Sequence, residues 1–542
     1  MKKQMKKKSV GVAVSIVLAS TSLLAACSST KEGGATAPAP TTPTPAAEAG
    51  KYPVSTTETI TSWEQINSNL TTFVPNLADS PFGKQLEKDT GIKVKYSHPA
   101  DGQSKEQFNL LIASNNLTDV IEYDWNNSYP GGPEKAMADK VLLPLNDLID
   151  KHAPNLKKML QQDKELDKML KTDSGKYYVF PMIRPDNGLV FRGPMIRKDW
   201  LDELGLPVPT TIDEWYTVLK AFKEKKGATA PLTAQYTPSE LDIRDAFIGA
   251  FRTANRYYID DQGKVKYGPV DPQFKEALTL LRQWYAEGLL DKDFALNTDS
   301  KALDNKILGN ASGATVGLLS GGMGRWTDSG KKQDPKFQLV AAPYPTLKKG
   351  ERAFIGQRDF KFNPAASKGV TTAAKNPELA VKWLDYAYSE KGSLLFNFGI
   401  EGESYTIKDG KPTFTDKITK DPKYNLQQMV TQYTKPNGPF PGDSRKSFNT
   451  YKEQDEAIKI WEQTDAAKHL LPPFITPTVE ESKEVAKMNT AITSYKEEMF
   501  VKFVMGKEPL DKFDEYVKRI KEMGSDKVAQ IYQNAYDRYN KR

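Results

Sequence analysis

The feature that most limits how this chain can fold is a repeated switch between helical and strand periodicity. It runs through nearly 490 residues that follow a polar, proline-punctuated segment. Ser80-Pro81 supplies an N-cap with proline at the first helical position, Phe82 and Leu86 share a face, and Thr90-Gly91 marks the stop. Ile92-Lys93-Val94-Lys95-Tyr96 then alternates as a half-buried strand. Phe108, Leu111 and Ile112 fall on one helical face, and Asp119 to Tyr123 reads as the next strand. This alternation predicts an α/β fold with a mainly parallel sheet covered on both faces. In such sheets ligands bind beyond the carboxyl ends of strands, so the segment just after Tyr123 is the first place to look. A single core rarely grows past roughly 250 to 300 residues, so two lobes are the minimum.

The amino terminus fixes the compartment. Lys2, Lys3, Lys6, Lys7 and Lys8 form a basic region, and Val10 to Ala26 form an apolar one that ends in small residues, which is the anatomy of a secretory signal over 1–26. Leu24-Ala25-Ala26-Cys27 resembles a lipobox, whose cysteine receives lipid, and Cys27 is the only cysteine. A lipidated cysteine cannot also be a nucleophile or a metal ligand. Residues 27–53, rich in Ser, Thr, Ala and Pro, cannot offset the entropy of ordering and are expected to be a lipidated, disordered tether. Removing the five signal lysines from the formal charge of +7 leaves about +2. That balance, with no clustered basic run, gives no footing for a nucleic-acid partner.

Further blocks follow. Tyr177 to Pro181 and Gly188 to Phe191 precede a helix over Arg197-Lys198-Asp199-Trp200-Leu201 to Leu204, ended by Gly205. Thr210-Thr211-Ile212-Asp213-Glu214-Trp215 opens another helix with a Thr cap and an acidic first turn. Asn376-Pro377-Glu378 begins an amphipathic helix through Trp383-Leu384, and Gly399-Ile400-Glu401-Gly402 follows it. These ordered blocks resemble the extracellular solute-binding proteins of bacterial ABC importers, in particular the large carbohydrate-binding type.

The resemblance implies a two-lobed, periplasmic-binding-protein-like fold (type II) with a hinge and an interlobe ligand cleft. Lobe one is expected over 54–187 and 355–400, and lobe two over 188–354 and 401–542. Crossovers are expected near Pro185 to Val190, near Ala353 to Gln357, and after Gly399. It implies a monomer that captures a carbohydrate, an oligosaccharide in particular, and presents it to ABC permease subunits from the extracytoplasmic face of the cell membrane. A peptide or other polar cargo, or a surface-anchored glycan-degrading enzyme, are the alternatives. The three histidines show no metal-protease spacing, no Gly-x-Ser-x-Gly elbow is present, and no cofactor is expected. Many relatives of this type carry a calcium loop before a Pro-Leu-Thr or Pro-Phe-Thr strand, whereas Pro231-Leu232-Thr233 follows Lys225 to Ala230 with no carboxylate, so no metal is expected there. Asp260-Asp261-Gln262-Gly263-Lys264 reads as a hairpin turn instead.

A sugar cleft needs aromatic faces for stacking and planar polar groups for paired hydrogen bonds. Trp125 follows a predicted strand and is either a stacking platform or a packing residue, and Glu122 and Asp124 beside it could accept from hydroxyls or simply be solvated. Arg325 and Trp326 close the turn Gly321-Gly322-Met323-Gly324, whose glycines suggest that backbone or ligand approaches closely. Arg358-Asp359 reads as a ligand arginine with its orienting carboxylate or as an interlobe salt bridge, and Tyr405 as a stacking or a core residue. On this reading, Trp326→Ala weakens binding without unfolding the protein. Trp200, Trp215, Trp284, Trp383 and Trp461 fall at helical spacing among apolar neighbours and are expected in the core.

Overall fold

The computed structural model describes residues 49–542 apart from 237–242, 299 and 448. The signal segment, Cys27 and the tether up to residue 48 lie outside the described residues. The body takes hold of the chain within the last few predicted tether residues. The Tyr52 hydroxyl donates to the Lys382 carbonyl at 2.6 Å, and its ring meets Tyr386 edge-on at 5.1 Å.

The first four strands are β1 (Thr59–Trp63), β2 (Lys93–Ser97), β3 (Val120–Glu122) and β4 (Phe180–Ile183). The chain then crosses to β5 (Arg192–Arg197), β6 (Leu232–Ala234), the hairpin β7 (Tyr257–Ile259) and β8 (Val265–Tyr267), β9 (Ala314–Leu318) and β10 (Leu339–Ala341). It returns as β11 (Phe362–Val370) and adds the hairpin β12 (Tyr405–Lys408) and β13 (Lys411–Phe414). One sheet has the order β2-β1-β3-β11-β4 and the other β10-β5-β9-β6.

Local chemistry sets the elements between them. The Ser80 side chain caps the helix Pro81–Thr90 by accepting from the Gly83 amide, and Gly91 ends it at φ 71°. Thr211 and Glu214 form a reciprocal capping box on the helix Ile212–Lys226. Asp260 accepts from the Gln262 and Lys264 amides, and Gly263 at φ 75° turns β7 back into β8, as the hairpin reading requires.

The sheets depart from the mainly parallel expectation. In the first, β1 pairs in parallel with β2 and β3, but β11 is antiparallel to both β3 and β4. In the second, β5 is antiparallel to β9 and β10, and only β6 and β9 run in parallel. The cause is the route of the chain: a strand that re-enters the first lobe from the second arrives from the cleft side and must run against its neighbours.

Each sheet has its own core. Trp63, Trp125, Phe180 and Trp383 belong to one, and Trp200, Trp215, Trp284, Trp326 and Trp461 to the other. The predicted lobe boundary at 401 is corrected by this packing. Tyr433, Met429 and Ile418 pack together against Phe73 and Ile400, and Phe440 lies in the first core, so the chain stays with lobe one beyond Gly399. It crosses later, between Phe440 and the helix Lys452–Trp461, whose Ala457 and Trp461 are in the second core. The first two crossovers run side by side at 184–191 and 357–361. Gln357 joins them, its side-chain oxygen accepting from the Phe191 amide at 2.8 Å and its Nε2 donating to the Leu189 carbonyl at 3.2 Å.

Trp461 is fully buried and its Nε1 donates to the Pro194 carbonyl at 3.0 Å. Its ring lies on Gly193, where an added Cβ would come within 2.5 Å of it. Trp461→Ala is expected to lower stability by about 3–5 kcal/mol in urea unfolding. A loss below about 1 kcal/mol would contradict this packing.

Candidate functional site

The parallel neighbours β1 and β3 end side by side, and each delivers a carboxylate and an aromatic residue to the same place. β1 ends in Trp63-Glu64 and β3 in Glu122-Tyr123. With Asp101, Ala365 on β11, and Lys435 after the helix Leu426–Tyr433, they line a cavity of about 350 Å³. The Tyr123 ring stacks on Phe108 with centroids 4.3 Å apart and meets Trp63 edge-on at 5.8 Å, which fixes its plane against the wall.

The floor is a closed ionic cluster. Lys435 Nζ donates to Glu64 Oε1 at 2.7 Å and to Glu122 Oε2 at 2.5 Å. Lys368, on β11, pairs with Glu64 and lies 3.5 Å from Glu122 Oε2, and Ser62 Oγ donates to Glu64 Oε2 at 2.8 Å. Glu64 has no exposed surface. Burial pushes its carboxyl up, but Lys368 and Lys435 outweigh that and hold it well below the usual carboxylate range. Glu122 is shifted the other way, because burial and the Glu64 charge together exceed the pull of Lys435. Burial lowers Lys368, whereas Lys435, bonded to both carboxylates, is raised. Glu122 Oε1 has no hydrogen-bond partner among the described residues, so the cluster presents a fixed acceptor at the edge of the cavity.

A second cavity of about 280 Å³ shares Ala365 with the first and reaches across to the other lobe. Asp124 and Asn127 line it from lobe one, Arg256 and Leu470 from beyond the hinge, and Arg358 to Phe360 from the second crossover. Asp359 pairs with Arg184 Nε at 2.7 Å and accepts from Gln357 Nε2 at 3.2 Å. Burial raises its pKa despite Arg184. Arg358 is half-buried and makes no hydrogen bond or ion pair among the described residues. The two cavities adjoin at Ala365, and their polar groups and aromatic rings suit a hydroxyl-rich ligand.

Of the residues singled out from the sequence, Glu122, Asp124, Arg358 and Asp359 come together along this groove. Trp125 does not, being buried against Phe108 and Tyr129 with its Nε1 on the Ile121 carbonyl at 3.4 Å. Trp326 is buried in the second core, where its Nε1 donates to Asp304 Oδ1 at 2.7 Å. Arg325 clamps the same Asp304 with two bonds of 2.6 and 2.7 Å. The nearby glycines make room for this ring rather than for a ligand: a Cβ on Gly317 would come within 2.9 Å of it and one on Gly322 within 3.1 Å. Tyr405 is buried beside Phe398 and borders a depression shared with Tyr52 and Tyr386, away from the groove. Sequence reasoning does not reach Glu64, Tyr123, Phe360 or Lys435. Trp63-Glu64 repeats the strand-end pairing of Glu122-Tyr123 and could have been found by that symmetry, whereas nothing local marks Lys435.

A family model described as bacterial extracellular solute-binding protein matches residues 74–393, more than half of the chain. Lipoprotein LipO of Bacillus subtilis is 27% identical over 65% of this chain and 69% of its own. The fructooligosaccharide ABC transporter substrate-binding protein FusA of Streptococcus pneumoniae is 24% identical over 84% of this chain and 86% of its own. Among solved structures, alginate-binding protein AlgQ2 superposes with a TM-score of 0.74 at 27% identity, over 90% of this chain and all of that one. FusA in complex with kestose superposes with a TM-score of 0.72 at 20% identity, over 89% of this chain and 99% of that one, which speaks for the fold.

Removing Lys368 from the cluster leaves Glu64 buried with half its compensation. Lys368→Met is therefore expected to cost about 3–5 kcal/mol of stability at neutral pH, read by denaturant unfolding. Glu64 is held below an unfolded value of about 4.3, so its contribution is present above that pH and is lost as the pH falls. Melting temperature should drop on acidification below about pH 4, and Glu64→Gln should start lower and flatten that drop. A parallel drop in wild type and variant would remove Glu64 as its source. Trp326→Ala should unfold the protein more readily, by about 3–5 kcal/mol, instead of acting on binding alone.

Proposed function

The chain belongs to the bacterial extracellular solute-binding protein family, and we propose that it captures an oligosaccharide between its two lobes and delivers it to the membrane subunits of an ABC importer. The observation that carries this reading is the groove itself. Carboxylates at the ends of β1 and β3 and a wall-fixed tyrosine line one cavity, and the crossover residues Arg358 and Phe360 line a second that adjoins it at Ala365. Sugars present apolar C–H patches ringed by hydroxyls, and such a space offers flat rings for the first and planar acceptors and donors for the second.

Closure follows from the same layout. A ligand that touches lobe one at Glu122 and Tyr123, and lobe two near Arg256, binds the closed arrangement more tightly than the open one. Moving the population from mostly open to mostly closed requires several kcal/mol of such difference, which only contacts from both lobes can supply. The bending takes place at the crossovers, two of them paired and the third between Phe440 and the helix Lys452–Trp461. The named cargoes of the relatives, fructooligosaccharide and alginate among them, support a carbohydrate. Capture is reversible and leaves the sugar unchanged. The body works as a monomer, held at the membrane through lipid on Cys27.

Thermal-shift screening against oligosaccharides and peptides tests the reading. A neutral or charged oligosaccharide should raise the melting temperature without release of new reducing ends. Stabilisation by peptides alone would overturn the sugar assignment, and new reducing ends would overturn the non-enzymatic one. Arg358→Ala should weaken sugar binding at least about tenfold, or 1.4 kcal/mol, with little change in melting temperature, and Tyr123→Ala should weaken it as much while also lowering the melting temperature through its lost contacts with Phe108 and Trp63. Cys27→Ser should release the protein from the membrane fraction.

A further inference from the structure

We infer that His98 is a positioning residue that holds the wall of the first cavity together only while its ring is neutral, so that acid loosens the site. The two ring nitrogens have different partners, and those partners fix the proton. Nδ1 lies 2.8 Å from the Glu64 carbonyl oxygen, which can only accept, so Nδ1 carries the hydrogen. Nε2 lies 3.2 Å from the Leu77 amide nitrogen, which can only donate, so Nε2 offers its lone pair. A doubly protonated ring cannot satisfy both. Its second N–H would point at the Leu77 N–H, and that bond would become a repulsion.

Both partners line the first cavity, although they come from different segments. Glu64 leads into the stretch 64–70, six of whose residues border the cavity, and Leu77 begins a short turn capped by the Asn76 side chain. The Leu77 carbonyl in turn accepts from Ser80 Oγ, which caps the helix Pro81–Thr90. His98 thus joins the strand-end segment to the turn and helix across the cavity rim. The ring is half-buried and stacks on Tyr96 with an interplanar angle of 10°, so protons reach it while its orientation is held. The titratable groups on the segments that touch or flank the ring are Glu64, Asp79, Lys93, Lys95, Tyr96 and Asp101. The Glu64 carboxylate is committed to Lys368 and Lys435, so no acid on β1 is free to replace the lost bond.

This inference rests on the first cavity being the ligand site, and the first arm of its test does not. Hydrogen exchange of the full, ligand-free chain at about pH 7.5 and about pH 5.5, corrected for intrinsic rates, should show several-fold less protection of segments 64–70 and 76–80 in acid. In His98→Gln, which keeps a donor and an acceptor but does not titrate, protection should be the same at both values. Equal loss in wild type and variant, or no loss in wild type, would overturn the latch. If the variant does not fold, NMR of the wild type decides, because with only three histidines the ring signals are separable. The Leu77 amide shift must then titrate with the His98 midpoint, and any other midpoint overturns the latch. In the second arm, affinity for fructo-nystose should fall several-fold in acid for the wild type and stay level for the variant. Glu122 also titrates in acid, so the difference between the two proteins is the readout. Fructo-nystose binding that falls equally in both counts against the latch, whereas its failure to bind at either pH counts against that cargo and leaves the exchange result to decide.

Discussion

Two lysines and two glutamates share a space almost closed to water, and much of lobe one is arranged around keeping them paired. Glu64 comes from the end of β1, Glu122 from the end of β3, Lys368 from β11, and Lys435 from a segment that enters long after the sheet is complete. Desolvating four charges is tolerable only because every one has an opposite partner within bonding distance. The cluster therefore ties the strand that returns from lobe two, and the chain beyond the helix Leu426–Tyr433, to the same point. It also engages Glu122 through Oε2 alone.

The hinge obeys a similar logic. Crossovers 184–191 and 357–361 lie side by side, and Gln357 joins them through backbone amides and a carbonyl, so these two segments are tied to each other. Arg184 and Asp359 neutralise each other beside Arg358, a half-buried guanidinium that lines the second cavity together with Arg256. The carboxyl-terminal helix Ser525–Asn540 adds a further link, with Val528 in one core and Ala535 and Tyr539 in the other. Its end grips lobe one through Arg538 and Arg542, which lie 2.6 and 2.5 Å from Asp173.

Much of this arrangement is legible in the amino-acid sequence. Ser80-Pro81, Thr211 with Glu214, and the turn at Gly263 are local signals governed by local rules, and each produces the expected element. The strand-end rule points at Glu122 and its neighbours, and Glu122, Tyr123 and Asp124 do line the two cavities. It fails on Trp125 and Trp326, because a tryptophan beside a loop or a glycine-rich turn looks the same whether its ring meets a ligand or fills a core. Gly317 and Gly322 settle that question only in three dimensions, where the ring occupies the space their missing Cβ atoms leave. Lys435 lies more than 300 residues from Glu64 and Glu122, and no spacing rule reaches that far. The boundary at 401 errs for the same reason, since Phe440 belongs to a core built mostly from the first half of the chain.

A sugar held from both sides should draw the lobes together. The most direct test places one spin label on lobe one near Lys95 and one on lobe two near Lys220 and measures the distance between them with and without saturating oligosaccharide. A shorter, narrower distance distribution with sugar, unchanged by peptides, is the predicted result. Bound sugar with an unchanged distribution would contradict it.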